Sequence, residues 1–160
     1  MNKIKNKNIF NLVLLFSIFA ITAAYFIEYI LGHQPCNLCL IERIPYVAII
    51  LLVSFFLIFK KNEKVYLFLI MLIFFSASLI SFYHFGIEQG FIKESLVCDL
   101  KDQTSNLSKE ELLKEFKTKT ISCKDVTFKI FNLSLATINT MVSLVLSIIF
   151  LRLFLNYEKK

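Results

Sequence analysis

The sequence predicts an all-α integral membrane protein, a bundle of four membrane-crossing helices, and three observations carry that prediction. Of 160 residues 57% are hydrophobic, with 18 Phe against 3 Gly and 2 Pro, which is too apolar for a soluble domain with a wetted surface. Roughly 20 apolar residues are needed to cross the hydrocarbon core, and four such runs are present: Ile9 to Leu31, Leu40 to Phe59, Val65 to Ile87 and Ile130 to Leu155. Residues 1–160 thus read as one membrane domain, with outer loops at 32–39 and 88–129.

The first run has features of a secretory signal, with Lys3, Lys5 and Lys7 ahead of it and Ala20, Ala23 and Ala24 within it. It is longer than the roughly 7–15 residues of a signal core, so it reads as a retained helix. The second run opens on Glu42, Arg43 and Pro45, and the fourth carries Arg152 near its end, where a long side chain reaches the headgroups. Lipid gives no hydrophobic drive between helices, so packing faces collect small and weakly polar residues. Such stripes recur at helical spacing as Ser17, Ala20, Ala24 and Glu28, then Ala77, Ser81, His84 and Glu88, then Ala136, Thr140, Ser143 and Ser147. An ionisable group in a membrane segment is a functional candidate, although solvation at the interface is the plainer reading of Glu28 and Glu88. In the long loop, Ser108-Lys109-Glu110-Glu111 has the capping-box pattern. Leu112, Leu113 and Phe116 follow on one side, which predicts a short amphipathic helix at about Lys109 to Lys117 on the membrane surface.

Lysine and arginine in short loops set orientation. Residues 1–8, 60–64 and 152–160 hold nine of them in 22 residues against two acids, and the loop Gly32 to Cys39 holds none. The long loop carries eight Lys matched by eight acids. Both termini are therefore expected in the cytoplasm, and the net charge of +6 needs no nucleic acid to explain it. All four cysteines then face outward, where disulfides form and persist. Cys36 and Cys39 form a CxxC in the first outer loop, and Cys98 and Cys123 bracket the polar stretch of the second. Disulfide exchange at a membrane face is the chemistry this arrangement offers first.

The sharpest stretch is Pro35-Cys36-Asn37-Leu38-Cys39-Leu40-Ile41-Glu42-Arg43. CxxC brings two sulfurs within bonding reach, and at the head of a helix the dipole and free amides favour the attacking thiolate. Pro35 suits a first helical position. If the helix runs on, Arg43 stands at i+4 from Cys39 and its guanidinium shares a face with that sulfur. Pro45 argues for the alternative, because an interior proline costs ~3 kcal/mol; the membrane helix then starts at Pro45 and the CxxC stays in a loop. Arg43 has two uses at a membrane edge, as a headgroup anchor or as a holder for the polar head of a lipid-soluble oxidant.

Pro35-Cys36-x-Leu38-Cys39 with Arg43 following, at the start of the second of four helices, together with a cysteine pair in a long outer loop, resembles the bacterial disulfide bond formation protein B (DsbB) family over nearly the whole chain. Tyr83-His84-x-Gly86-Ile87-Glu88 also resembles a stretch of some members. The resemblance implies an inner-membrane thiol oxidase that reoxidises a soluble, periplasmic, thioredoxin-like partner of DsbA type and passes the electrons to membrane quinone, ubiquinone or menaquinone. It implies that Cys36 and Cys39 are the quinone-linked pair, with Cys39 thiolate the donor, and that Cys98 and Cys123 exchange with the partner, Cys98 entering the mixed disulfide. It also implies quinone contacts for Arg43 and His84. Glu42 departs from the frequent Gln-Arg of the family and offers a carboxylate that pairs with Arg43 and weakens its pull on a thiolate. Two other readings compete. Vitamin K epoxide reductase homologues also pair cysteines in a four-helix bundle, but with the CxxC expected late. Four outward cysteines are also a zinc set, although the second pair is 25 positions apart and an oxidising compartment competes for the thiols.

Overall fold

The structure, a computed structural model, describes residues 2–93, 98, 122–124, 128–130 and 133–158. Its helices are α1 (Asn2–Tyr29), α2 (Asn37–Ile41), α3 (Arg43–Phe59), α4 (Glu63–Glu88) and α5 (Leu135–Glu158). A two-stranded antiparallel ribbon, β1 (Lys129–Ile130) with β2 (Leu133–Ser134), precedes α5. Four spans are long and apolar enough to cross a membrane, Asn8–Tyr29, Asn37–Phe59, Glu63–Glu88 and Leu135–Tyr157. The chain is an all-α four-helix membrane protein. The amphipathic helix expected at about Lys109 to Lys117 lies outside the described residues.

Local chemistry sets the ends. The amides of Ile30 and Leu31 both close on Phe26 O, and Gly32 follows at φ 73°, a left-handed position that glycine adopts without strain. Between α3 and α4 the chain turns through Lys60 and Asn62, both left-handed, with Lys60 N–H still bonded to Phe56 O at 2.8 Å. The last helix starts later than Ile130, where the sequence places it. Lys129 pairs with Ser134 and Ile130 with Leu133, and the Ser134 hydroxyl accepts Thr137 N–H at 3.2 Å, a side-chain cap that satisfies an amide left free at a helix start.

α4 lies along α5, α1 along α3, and α3 joins the two pairs. Ser17, Ala77, Ser81, His84, Ala136, Ser143 and Ser147 are buried, so the small-residue stripes do face the bundle. The Ser147 hydroxyl crosses to Met71 O at 3.4 Å. Leu12, Leu15, Leu51 and Ile58 point outward and are each more than 60% exposed, as lipid-facing side chains should be. The core divides in two along the bundle. Phe10, Val13, Ile49, Val53, Phe56, Leu67, Ile70, Phe74 and Phe150 fill the part built on aromatic packing, with Phe10 and Phe56 rings 4.2 Å apart. Cys36, Leu38, Ile87, Cys98 and Cys123 form a separate buried cluster.

Candidate active site

The CxxC opens its own short helix. Cys36 is the extended N-cap of α2, at φ −75° and ψ 169°, and its sulfur accepts Cys39 N–H at 3.3 Å. The chain then breaks at Glu42 and restarts as α3 at Arg43. This differs from both sequence alternatives. Pro35 precedes the cap instead of beginning the helix, and Pro45 sits in the first turn of α3, where a missing N–H costs no intrahelical bond. The break lets the CxxC keep a helix start of its own while the membrane helix follows.

The two sulfurs stand 2.7 Å apart, and His84 Nε2 is 3.5 Å from Cys36 Sγ. The hydrogen bond from Cys39, with further help from His84 and the Cys39 amide, outweighs burial and pulls the Cys36 thiol down to about 5. Of the two sulfurs, Cys36 is the one whose neighbours favour a thiolate; the sequence alone points to Cys39, beside Arg43.

Behind the sulfurs lies a polar network that joins three elements. His84 Nδ1 donates to Glu42 Oε1 at 2.7 Å, an assignment that follows from a carboxyl oxygen being an acceptor. Asn139 on α5 donates to Glu42 Oε2 at 2.7 Å and to Ser81 Oγ at 2.6 Å. Asn139 Oδ1 accepts from Tyr46 and from Ser143, the latter at 3.2 Å. Sequence reasoning missed Asn139 and Tyr46. A signal was present for Asn139, a strongly polar residue in an apolar run at helical spacing from Ala136 and Ser143.

Arg43 is held from the other side. Its Nη1 donates to Glu28 Oε2 on α1 at 2.6 Å, and its guanidinium carbon lies 4.9 Å from the centre of the Tyr25 ring. The expected Glu42–Arg43 pair is not formed, because both Glu42 oxygens are taken by His84 and Asn139. Glu28, read as interfacial, is instead the arginine's partner.

Cys98 and Cys123 are joined as a disulfide with Cα atoms 5.5 Å apart. Both are buried, in one cluster with Cys36 and Leu38. That bond removes the four-cysteine zinc set. Among the described residues Cys36, Cys39 and His84 bring three donor atoms within 4.8 Å of one another, where a closed zinc site takes four. Cys36, Cys39 and His84 border one cavity of about 320 Å³ between α1, α3, α4 and α5. Phe16, Phe19, Ile27 and Val142 give it apolar walls, while Cys36, Cys39, Arg43, His84, Glu88 and Cys123 stand along its polar side. An apolar pocket with a few convergent polar groups suits a small, flat, lipid-soluble molecule with hydrogen-bond acceptors.

Comparison with known proteins gives matches over nearly the full length. A family model described as disulfide bond formation protein DsbB matches residues 6–153. Uncharacterized protein RP370 of Rickettsia prowazekii (strain Madrid E) is 34% identical over 154 residues, covering 94% of this chain and 89% of that protein.

Proposed function

The chain belongs to the disulfide bond formation protein DsbB family, and from that premise we propose that it reoxidises a soluble, thioredoxin-like dithiol protein of DsbA type and hands the electrons to membrane quinone. Family and fold together make it a multi-pass membrane disulfide oxidoreductase. The finer reading places it in a bacterial inner membrane with both termini in the cytoplasm, supported by the lysines at residues 1–8 and 60–64. One observation carries the quinone: the CxxC sulfurs, Arg43 and His84 border a single apolar-walled cavity.

In this reading a partner thiolate attacks Cys98, and Cys123 leaves and becomes the loop nucleophile. Cys39 packs against the buried cluster that holds Cys123 and Cys36, so attack of Cys123 on the Cys39 sulfur of the Cys36–Cys39 disulfide needs little travel. A low-pKa sulfur leaves fastest, and Cys36 is that sulfur. The reduced pair holds its charge on Cys36, steadied by the Cys39 thiol, the Cys39 amide and His84. Arg43, fixed by Glu28 and Tyr25, presents its remaining N–H groups to an acceptor oxygen. A bound quinone supplies a sink for two electrons and two protons; ubiquinone and menaquinone both fit that description.

The test is purified protein with a reduced DsbA-type partner and a short-chain quinone, followed by quinone absorbance and by free thiol. One quinone consumed per dithiol oxidised is expected, and oxidation at the same rate without quinone would sink the reading. Arg43→Lys keeps the charge but loses the planar fork. The apparent KM for quinone should rise several-fold while exchange with the dithiol partner is unchanged.

A further inference from the structure

Two buried side-chain oxygens among the described residues lack a hydrogen-bond partner, Ser17 Oγ and Glu88 Oε2. The second is the informative one. The Glu88 side chain is 6% exposed, and its residue borders the cavity. A charged carboxylate kept from water without full pairing costs several kcal/mol, so this group either holds a proton or meets a donor that comes and goes. Its other oxygen, Oε1, lies 3.7 Å from His84 Nε2.

The histidine makes that contact specific. His84 Nδ1 is committed to Glu42, so Nε2 alone is open to proton exchange. Its neighbours are Cys36 Sγ at 3.5 Å and Glu88 Oε1 at 3.7 Å. Glu42 cannot serve, since His84 and Asn139 engage both its oxygens. The groups that face Glu88 are His84 on its own helix, Glu42 at the α2–α3 break, Cys36 at the head of α2 and the Ser134 hydroxyl of β2.

We propose that Glu88 is the proton carrier between the CxxC and the cavity, taking the Cys36 proton through His84 Nε2 and delivering it to an acceptor oxygen of the quinone. This rests on the quinone-linked reading above. In each turnover the Cys36 thiolate and the Cys39 thiol form the Cys36–Cys39 bond and two electrons pass to the quinone, which takes two protons: the one that left Cys36 when the pair was reduced, held on Glu88, and the one released by Cys39. Glu88 carries one of those protons and returns to its starting state.

The full-length chain in lipid nanodiscs, stripped of quinone, tests this first. An infrared difference spectrum between dithiothreitol-reduced and oxidised protein should show a protonated-carboxyl stretch that shifts in heavy water, disappears in Glu88→Gln and survives in Glu88→Asp. In single-turnover oxidation of the pre-reduced protein by a short-chain quinone, Glu88→Gln should be slower by roughly 10²-fold, in the range of general acid–base catalysis. Its solvent deuterium effect should be larger, its apparent affinity for quinone unchanged, and Glu88→Asp should recover most of the rate. A wild-type spectrum without a redox-linked carboxyl band, or Glu88→Gln oxidised at the wild-type rate, overturns the proposal. Wild-type protein that fails to reduce any quinone refutes the parent reading instead, and the infrared band still decides whether Glu88 takes the proton.

Discussion

Cys36 shows how much one position decides. It caps α2 and so receives an amide, it has a thiol 2.7 Å away, and an imidazole closes the third side. With its thiol pulled down to about 5, alkylation of the reduced protein by iodoacetamide should stay nearly flat from neutral pH upward and fall off with its midpoint at that value. A midpoint in the ordinary thiol range would remove the thiolate from Cys36. Stability follows with a fixed sign. A group whose folded pKa is depressed contributes stability that is complete above its unfolded value, 9.0 for this thiol, and is lost as pH falls through about 5. Reduced wild type should therefore outlast Cys36→Ser most clearly at alkaline pH and lose the margin in acid, as read by thermal unfolding. The four cysteines, Arg43 and His84 could be singled out from the sequence alone, and the structure brings Cys36, Cys39, Arg43, His84 and Cys123 to one cavity. Their partners were not. Glu28 is 15 positions from Arg43 and His84 is 42 from Glu42, and which acid reaches which base is settled by helix packing.

At the scale of elements, the break at Glu42 does the most. A continuous helix would commit the Glu42 region to one register, whereas α2 and α3 each keep a free start, one for Cys36 and one that accommodates Pro45. The sequence contains both signals, a cap-like CxxC and an early proline, but only the packed structure shows that they are satisfied together. Asn139 then ties the break to α4 and α5 through Glu42, Ser81, Tyr46 and Ser143. Interhelical hydrogen bonds in membranes average only about 0.6 kcal/mol, yet stripping a partner from a buried carboxyl and a buried hydroxyl together adds about 1–3 kcal/mol per group. Asn139→Ala should thus destabilise the bundle by about 2–4 kcal/mol in denaturant titration, and it should also slow thiol oxidation by loosening Glu42 behind His84. Thr140→Ala is the matched control, because that hydroxyl bonds only its own helix at Ala136 O. Equal, small effects of the two would reduce Asn139 to packing.

The whole molecule packs a disulfide, Cys98–Cys123, beside the CxxC thiols, and Cys36, Cys39 and Cys123 reach one cavity. Hydropathy was enough to read four spanning helices and, by threading them, to group all four cysteines at one end of the bundle. The contact between the pairs was not legible, since it depends on Cys98 and Cys123 packing with Cys36, Leu38 and Ile87, residues far from them in sequence. In the structure that disulfide is buried, with Cys98 7% and Cys123 2% exposed. The arrangement suits passing electrons inward, and it makes a division of labour testable. With Cys98 and Cys123 both changed to serine, the Cys36–Cys39 disulfide should still form with quinone, yet the soluble partner should not be oxidised at a useful rate. With Cys36 and Cys39 both changed, a mixed disulfide with the partner through Cys98 should still appear on non-reducing gels, while quinone absorbance should not change. Replacing Cys123 alone should trap most strongly, because the thiol that resolves the mixed disulfide is then absent. Since the buried loop pair must be reached from outside, trapping should also depend on the partner's concentration well before it saturates quinone reduction. Full turnover in either double variant would mean that one pair suffices, and the inward relay from loop to CxxC to cavity would have no work left to do.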